Sequence, residues 1–209
     1  MAKILITAGG TKENIDPVRY IGNHSSGKMG IAIADEAYDI GHEVMLISTF
    51  PIEKPYKVIV ATSSDEMADA VKNEFHKADV LIMAAAVADF KAKKVAENKI
   101  KKTNKDTLTV ELVKTTDILK EVSKIKKEKQ IVIGFCAESE NLLNNAQKKL
   151  EEKNLDYIAA NDISRKDIGF GSDYNEITII DKTGKQKHIS RTTKKDIAKK
   201  ILEYCVKGQ

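Results

Sequence analysis

A chain of 209 residues is the size of one domain and can bury a sizeable core. Its 42% hydrophobic and 32% charged content is ordinary for a globular chain, and no apolar run is long enough to span a bilayer. The net charge of +4 is spread out and aromatics make up only 5%, so the interleaved basic and aromatic patches of nucleic-acid binders are missing.

The opening "MAKILITA" reaches Gly9-Gly10 after a few apolar residues, too short for a signal core, and predicts a first strand at 3–7. Helical periodicity follows over 27–41, with Gly41 as a natural end. Apolar runs at 43–48 and 57–61 predict two more strands. Ser63-Ser64-Asp65 supplies an N-cap region for a helix at 64–77. Further strands are expected at 79–85, 130–135 and 156–160, separated by helices at 116–127 and 139–153. These runs are rich in Ile and Val and nearly continuous, as strands covered on both faces must be.

Two segments break the alternation. Residues 87–113 hold the Lys-rich run "KAKKVAENKIKK", a turn at "TNKD" and the alternating strand pattern "TLTVELV". Twenty-seven residues exceed an ordinary connection, so this stretch is expected to be an arm, flap or dimer element. Near the end, "NEITIID", "KTGK" and "QKHIS" predict a hairpin before a last helix at about 192–206. The predicted fold is a single α/β domain over 1–209: a Rossmann-like, mostly parallel sheet with helices on both faces, plus the arm and the C-terminal hairpin.

Gly9-Gly10-Thr11 forms a tight turn at the end of the first strand, where backbone can approach a ligand closely. The Gly-x-Gly-x-x-Gly fingerprint is absent, and the second strand ends in Ser48-Thr49 with no acidic residue for a ribose. A nicotinamide oxidoreductase is therefore disfavoured. "GNHSSGKM", residues 22–29, satisfies a phosphate-loop pattern up to Met29, where a Ser or Thr should hold Mg²⁺. More than a dozen residues also separate it from its strand, unlike a true phosphate loop. Ser25, Ser26 and Gly27 still lead into a helix, and serve either as a plain N-cap or as an anion site with Lys28. The Gly-Gly-Thr turn upstream favours the anion site.

"AAAVADF", residues 84–90, follows a buried strand with small residues that admit a flat ligand. Asp89 within it either meets a ribose or metal or simply forms a turn. His24, His42, His76 and His188 make no His-x-x-x-His or triad pattern. Cys136 and Cys205 lie far apart with no metal-ligand spacing; Cys136 is expected to be a small core residue. With no targeting segment recognised, a reduced cytoplasmic setting is expected.

Taken together, "GGTKENIDPVRYIGNHSSGKMG", "AAAVADF", "ENKIKK" and "GFCAES" resemble the bacterial phosphopantothenate–cysteine ligase family over nearly the whole chain. The resemblance implies ligation of 4′-phosphopantothenate and L-cysteine in coenzyme A synthesis, through an acyl-cytidylate made from CTP with Mg²⁺, in a homodimer. It implies no nucleic-acid or membrane partner. Because Met1 opens on the first strand, it also implies a stand-alone form without the decarboxylase that many relatives carry.

The resemblance carries roles to particular positions. Asn23 matches the amide that contacts the acyl carbonyl, and Lys99 a flap lysine on the nucleotide phosphates. Asp89 matches a nucleotide-binding aspartate and Phe135 an aromatic at the base pocket, with the backbone of Ala84, Ala85 and Ala86 reading the base edge. A Pro-Asp-Ile-Val loop appears here as Thr116-Asp117-Ile118-Leu119. Lys149 and Lys153, a solvated pair by spacing alone, match a nucleotide-binding pair. Gly10, Ser25, Ser26, Gly27 and Lys28 become candidates for holding phosphate, and Arg19 for positioning the loop or forming a structural ion pair. Mg²⁺ is expected to bind mainly through the nucleotide phosphates.

Overall fold

In the computed structural model, which describes residues 1–101, 107–164 and 171–206, β1 (Lys3–Ala8) runs into a hairpin of β2 (Lys12–Asp16) and β3 (Arg19–Gly22). Helix α1 (Lys28–Asp39), β4 (Glu43–Ser48), β5 (Lys57–Val60), α2 (Ser64–Phe75) and β6 (Val80–Met83) follow. A small hairpin of β7 (Phe90–Ala92) and β8 (Leu112–Lys114) precedes α3 (Ile118–Ile125), β9 (Ile131–Glu138) and α4 (Leu142–Glu152). The chain closes with β10 (Tyr157–Asp162), β11 (Tyr174–Asp181), β12 (Gln186–Thr193) and α5 (Lys194–Cys205). The turn expected at "TNKD", 103–106, lies outside the described residues.

Eight strands form one sheet in the order β12-β11-β10-β9-β6-β1-β4-β5. The six from β10 to β5 are parallel, and β11 and β12 add an antiparallel edge. Successive side chains of a strand face opposite sides. Ile4 and Ile6 therefore pack with Ile33 and Ala37 of α1 and Ile197 and Ile201 of α5. Leu5 faces the other layer, with Met67, Val71 and Phe75 of α2, Val122 of α3 and Leu150 of α4. Both faces are dry, which is why the strand sequences lack polar alternation. No described helix is long and apolar enough to cross a membrane.

The expected helices and strands are present with ends shifted by a few residues: the helices are shorter, while β1, β9, β10 and β12 run on past their expected ends. Helix α1 covers 28–39 of the predicted 27–41, and α3 starts at Ile118 because the Asp117 carboxylate caps it. The strand expected at 79–85 stops at Met83, where the chain leaves the sheet and Gly10 pairs with Ala86 instead. "TLTVELV" is strand only over its last residues, because its antiparallel partner β7 is three residues long. The β2–β3 hairpin was not expected. Its sequences "KENID" and "RYIG" are polar or exposed, so neither period stands out.

Two contacts fix the parts that flank the site. Gly30 lets α1 lie directly on β1: a Cβ there would stand 2.5 Å from the Thr7 carbonyl oxygen and 2.8 Å from the Ala8 Cβ. The second contact ties residues 96–100 to the hairpin. The buried Asp16 carboxylate accepts from the Arg19 guanidinium, from the Val18 and Arg19 amides at 2.9 Å, and from the Ile100 amide at 3.1 Å. Arg19 also donates to the Ile100 carbonyl at 2.8 Å, and the Ala96 amide to the Ile15 carbonyl at 2.9 Å.

Replacing Gly30 with Ala should destabilise the protein by about 1–3 kcal/mol, because overpacking against backbone outweighs the ~1 kcal/mol that Ala gains over Gly in a helix. Urea unfolding of the variant reads this directly. The Arg19 guanidinium holds the Asp16 carboxyl well below the usual carboxylate range. A depressed folded value means that this stabilisation is complete above the unfolded value of about 3.9 and fades as pH falls through the folded one. The stability difference between wild type and Asp16→Asn should therefore be flat from about pH 5 to 8 and shrink below about pH 4.

Candidate active site

In a parallel sheet, crossovers on opposite faces leave a crevice at the carboxyl ends of the strands where the winding direction reverses. Here β1 proceeds outward to β4 and β5, then the chain returns through β6, β9 and β10 on the other side of β1. A cavity of about 790 Å³ opens at this reversal. Its walls come from the 22–29 loop, the segment after β6, the start of α3, β9, α4, the end of β10 and the start of α5.

The first wall is the 22–29 loop. Gly10 lies beneath it, where an added Cβ would come within 2.4 Å of the Asn23 carbonyl oxygen. Gly10 thus serves close backbone approach and is not itself among the residues facing the cavity. Asn23 is exposed to the cavity, and its Nδ2 donates to the Ala86 carbonyl at 3.1 Å. Ser25, Ser26, Gly27 and Lys28 all line the cavity. Neither serine caps α1. The N-cap is Gly27, in the left-handed region at φ 77°, with no side chain accepting from the first turn. The first N–H groups of α1 thus have no side-chain acceptor, and the helix dipole adds partial positive charge there. Lys28 reaches away from the turn, donating to Asp173 Oδ1 at 2.6 Å and the Gly171 carbonyl at 2.9 Å.

The second wall is the chain after β6. The Thr7 hydroxyl accepts from the Ala85 amide at 3.1 Å, and the Thr11 hydroxyl from the Ala88 amide at 2.9 Å. These buried threonines, with the Ala86 amide donating to the Gly9 carbonyl at 2.8 Å, hold Ala84–Ala86 at the cavity edge. Asp89 lines the same wall with an exposed side chain, and its carbonyl accepts from the Thr115 amide at 3.0 Å.

The third wall gathers Thr116, Asp117, Ile118 and Leu119 with Phe135, Lys149 and Lys153. Asp117 does two jobs: Oδ1 accepts from the Lys120 amide and Oδ2 pairs with Lys153 at 3.3 Å. Lys149 pairs with Glu138. Burial disfavours the Lys149 charge, but the Glu138 carboxylate outweighs this and holds the ammonium above its ordinary value. Burial pushes the Cys136 thiol up to about 11, so it faces the cavity protonated rather than as a nucleophile.

Lys99 is set apart. It is exposed, next to the latched Ile100, and outside the residues that face the cavity. Conversely, the cavity is lined by three buried polar residues that sequence reasoning passed over: Asn161, Asn175 and Lys194. Asn161 sits at the carboxyl end of β10, a position that topology alone marks as ligand-facing. Lys194, within "TTKKDIAKK", carries no such signal. Among the described residues no group of three or more His, Cys, Asp or Glu side chains is placed to hold a metal ion.

With this geometry established, known proteins can be placed beside it. Residues 1–208 match the family described as the DNA/pantothenate metabolism flavoprotein C-terminal domain. The coenzyme A biosynthesis bifunctional protein CoaBC of Bacillus subtilis is 43% identical over 204 residues, 96% of this chain and 50% of that protein. Its Vibrio cholerae counterpart is 43% identical over 205 residues, 96% of this chain and 51% of that protein. The chain spans about half the length of the curated relatives it matches. The crystal structure of the C-terminal domain of a CoaBC protein is 39% identical with a TM-score of 0.80, covering 97% of this chain and 92% of that one. A DNA/pantothenate metabolism flavoprotein from Streptococcus pneumoniae is 27% identical with a TM-score of 0.82, covering 97% of both chains. The fold, the motifs and these likenesses agree: the chain belongs to the DNA/pantothenate metabolism flavoprotein C-terminal domain family.

Proposed function

We propose that this chain joins 4′-phosphopantothenate to L-cysteine at the expense of CTP, yielding 4′-phosphopantothenoylcysteine, CMP and pyrophosphate in coenzyme A biosynthesis. The observation that carries this reading is the meeting, in one cavity, of the uncapped α1 terminus and Asn23 on one side with Phe135 and the Lys149–Lys153 pair on the other. A cavity of about 790 Å³ suits a nucleotide together with a second, elongated substrate.

In the first step a carboxylate oxygen attacks the α-phosphorus. The new P–O bond forms as the bond to the β-phosphate breaks, and pyrophosphate leaves with the electron pair. In the second, the cysteine amine attacks the acyl carbon. A C–N bond forms, the acyl C–O bond breaks, CMP departs and the nitrogen sheds a proton. Neither step needs a nucleophilic side chain; both need positioning and charge stabilisation.

The residues on the walls supply both. Lys149 and Lys153 stand where nucleotide phosphates or base would lie against α4, and the α1 terminus receives a phosphate through N–H groups. Asn23 offers amide N–H groups to the oxygen that gains negative charge. The backbone of Ala84–Ala86 runs along the edge of the cavity as a reading strip for a planar base, with Phe135 beside it. Mg²⁺, when bound to the triphosphate, would screen its charge; Asp89, exposed on the cavity wall, offers a carboxylate to meet it. Lys99 lies on a segment tethered at one end by Asp16, as a closing flap would be. Exposed Val18 and Tyr20 on the β2–β3 hairpin and Phe90 and Val95 on the arm support a homodimer through this side.

Purified protein with 4′-phosphopantothenate, L-cysteine, Mg²⁺ and CTP should release CMP and pyrophosphate in equal amounts, and the reading fails if neither CTP nor ATP gives product. Asn23→Asp removes the donor and sets an anion beside the reacting carbonyl. Its turnover should drop by about 10²–10³-fold, while its urea midpoint stays within reach of wild type, since the lost contact to Ala86 is one hydrogen bond. Unchanged kinetics would take Asn23 out of the chemistry.

A further inference from the structure

A second cavity, of about 350 Å³, lies in the layer that α1 and α5 share. Asp35, Glu36, Tyr38 and Asp39 of α1, Tyr56 just before β5, and Lys195 of α5 line it, and none of them faces the large cavity. Residues three and four apart share a helix face, so Asp35, Glu36 and Asp39 fall on one stripe of α1.

These three carboxylates are not equivalent. Asp35 is already spent: it accepts from Lys54 Nζ at 2.7 and 2.8 Å and from the Tyr56 hydroxyl at 2.6 Å. Glu36 is only 9% exposed, yet among the described residues its carboxylate has neither a hydrogen bond nor an ion pair. It is not sealed either. The sealed side-chain oxygens without a partner belong to Asn161 and Asn175, so those of Glu36 open into the cavity that it lines. Asp39, exposed beside it, is likewise without a hydrogen bond or ion pair, and Lys195 on the facing helix pairs with neither.

Glutamate is almost never this buried unless paired, because a carboxylate that gives up water without gaining a partner costs free energy. A glutamine or leucine at 36 would fill the same space without that cost. The open carboxylate therefore calls for a cation. A bare metal ion does not fit, since no group of three acidic, His or Cys side chains among the described residues is placed to hold one, and the space is far larger than an ion. The aromatic wall narrows the choice. The rings of Tyr38 and Tyr56 stand 5.6 Å apart at 53°, and Tyr38 is left 43% exposed. A guanidinium is flat and weakly hydrated, pairs with carboxylates through a fork of N–H groups and lays its face on a ring; an ammonium is a strongly hydrated point charge.

We propose that this cavity binds a small organic guanidinium, its N–H groups donating to the Glu36 and Asp39 carboxylates and its plane resting against Tyr38. Lys195 is then the competing cation at the rim, which the ligand displaces. The proposal stands apart from the ligase reading, because it uses none of the residues of the large cavity.

The test uses agmatine as the probe and putrescine, which has an ammonium in place of the guanidinium, as its control. Agmatine should shift the ring resonances of Tyr38 and Tyr56 and bind at least about tenfold more tightly than putrescine. Glu36→Gln should weaken agmatine by at least about tenfold, the loss of a hydrogen bond to a charged group. Without ligand, the urea midpoint of that variant should equal or exceed that of wild type, since an unpaired buried carboxylate has been removed. Lys195→Gln takes away the competing charge and should tighten agmatine binding. No agmatine binding, equal affinity for putrescine, or wild-type affinity in Glu36→Gln would overturn the assignment. So would lowered urea midpoints in both variants, which would make Glu36 and Lys195 a structural pair.

Discussion

A parallel sheet covered on both faces has one place where a ligand can reach its interior: the carboxyl edge, where neighbouring crossovers depart in opposite directions. In this chain that place lies between β1 and β6, and the rest of the structure is arranged around it. The Gly30 contact presses α1 onto β1 so that its amino-terminal turn ends at the crevice. The Thr7 and Thr11 hydroxyls stitch the chain after β6 to the chain after β1, which sets Ala84–Ala86 along the opposite rim. The placing of the cavity walls in this fold is thus a consequence of how tightly backbones pack beside one strand.

The cavity is cationic in composition but not in its resting balance. Lys28 is held by Asp173, Lys149 by Glu138 and Lys153 by Asp117. Each carboxylate orients a lysine while no anion is present, and each is partly solvated, so the pairs are individually weak. On the proposed reading, a polyanionic nucleotide would compete for these ammonium groups without having to order them first. The uncapped α1 terminus adds fixed positive potential that no side chain neutralises. On that reading the site would discriminate by how well a ligand replaces several small ion pairs together.

Legibility in the sequence followed burial. The core strands and helices could be read because their side chains face dry layers and carry the matching periods. The β2–β3 hairpin could not, because it is mostly solvated and is held by local bonds around Asp16 rather than by a hydrophobic face. "TLTVELV" misled in the other direction: alternation is necessary for a strand but a pairing partner of equal length is needed as well. Among the site residues, Asn23, Ser25 to Lys28, Asp89, Phe135, Lys149 and Lys153 are named by motifs or by the family resemblance, and all face the cavity. Lys99, named in the same way, does not, because the segment that carries it is tied to the hairpin instead.

By itself, the sequence determined the layered α/β class of the domain, the Gly9-Gly10 turn after β1 and the motif set that marks the family. Those follow from local conformational limits and from the need to bury Ile, Val and Leu. Only the tertiary structure decided which residues share the crevice. Asn161, Asn175 and Lys194 come from three elements, and their polarity has no periodic signature. That Gly27 rather than a serine caps the amino-terminal end of α1 was likewise decided in three dimensions, because the ring of Phe50 and the backbone of Gly9 pack against it, where a Cβ would stand 3.1 to 3.2 Å from them. Chain order specifies what can pack; the packing specifies which polar groups are left facing one another across the same space.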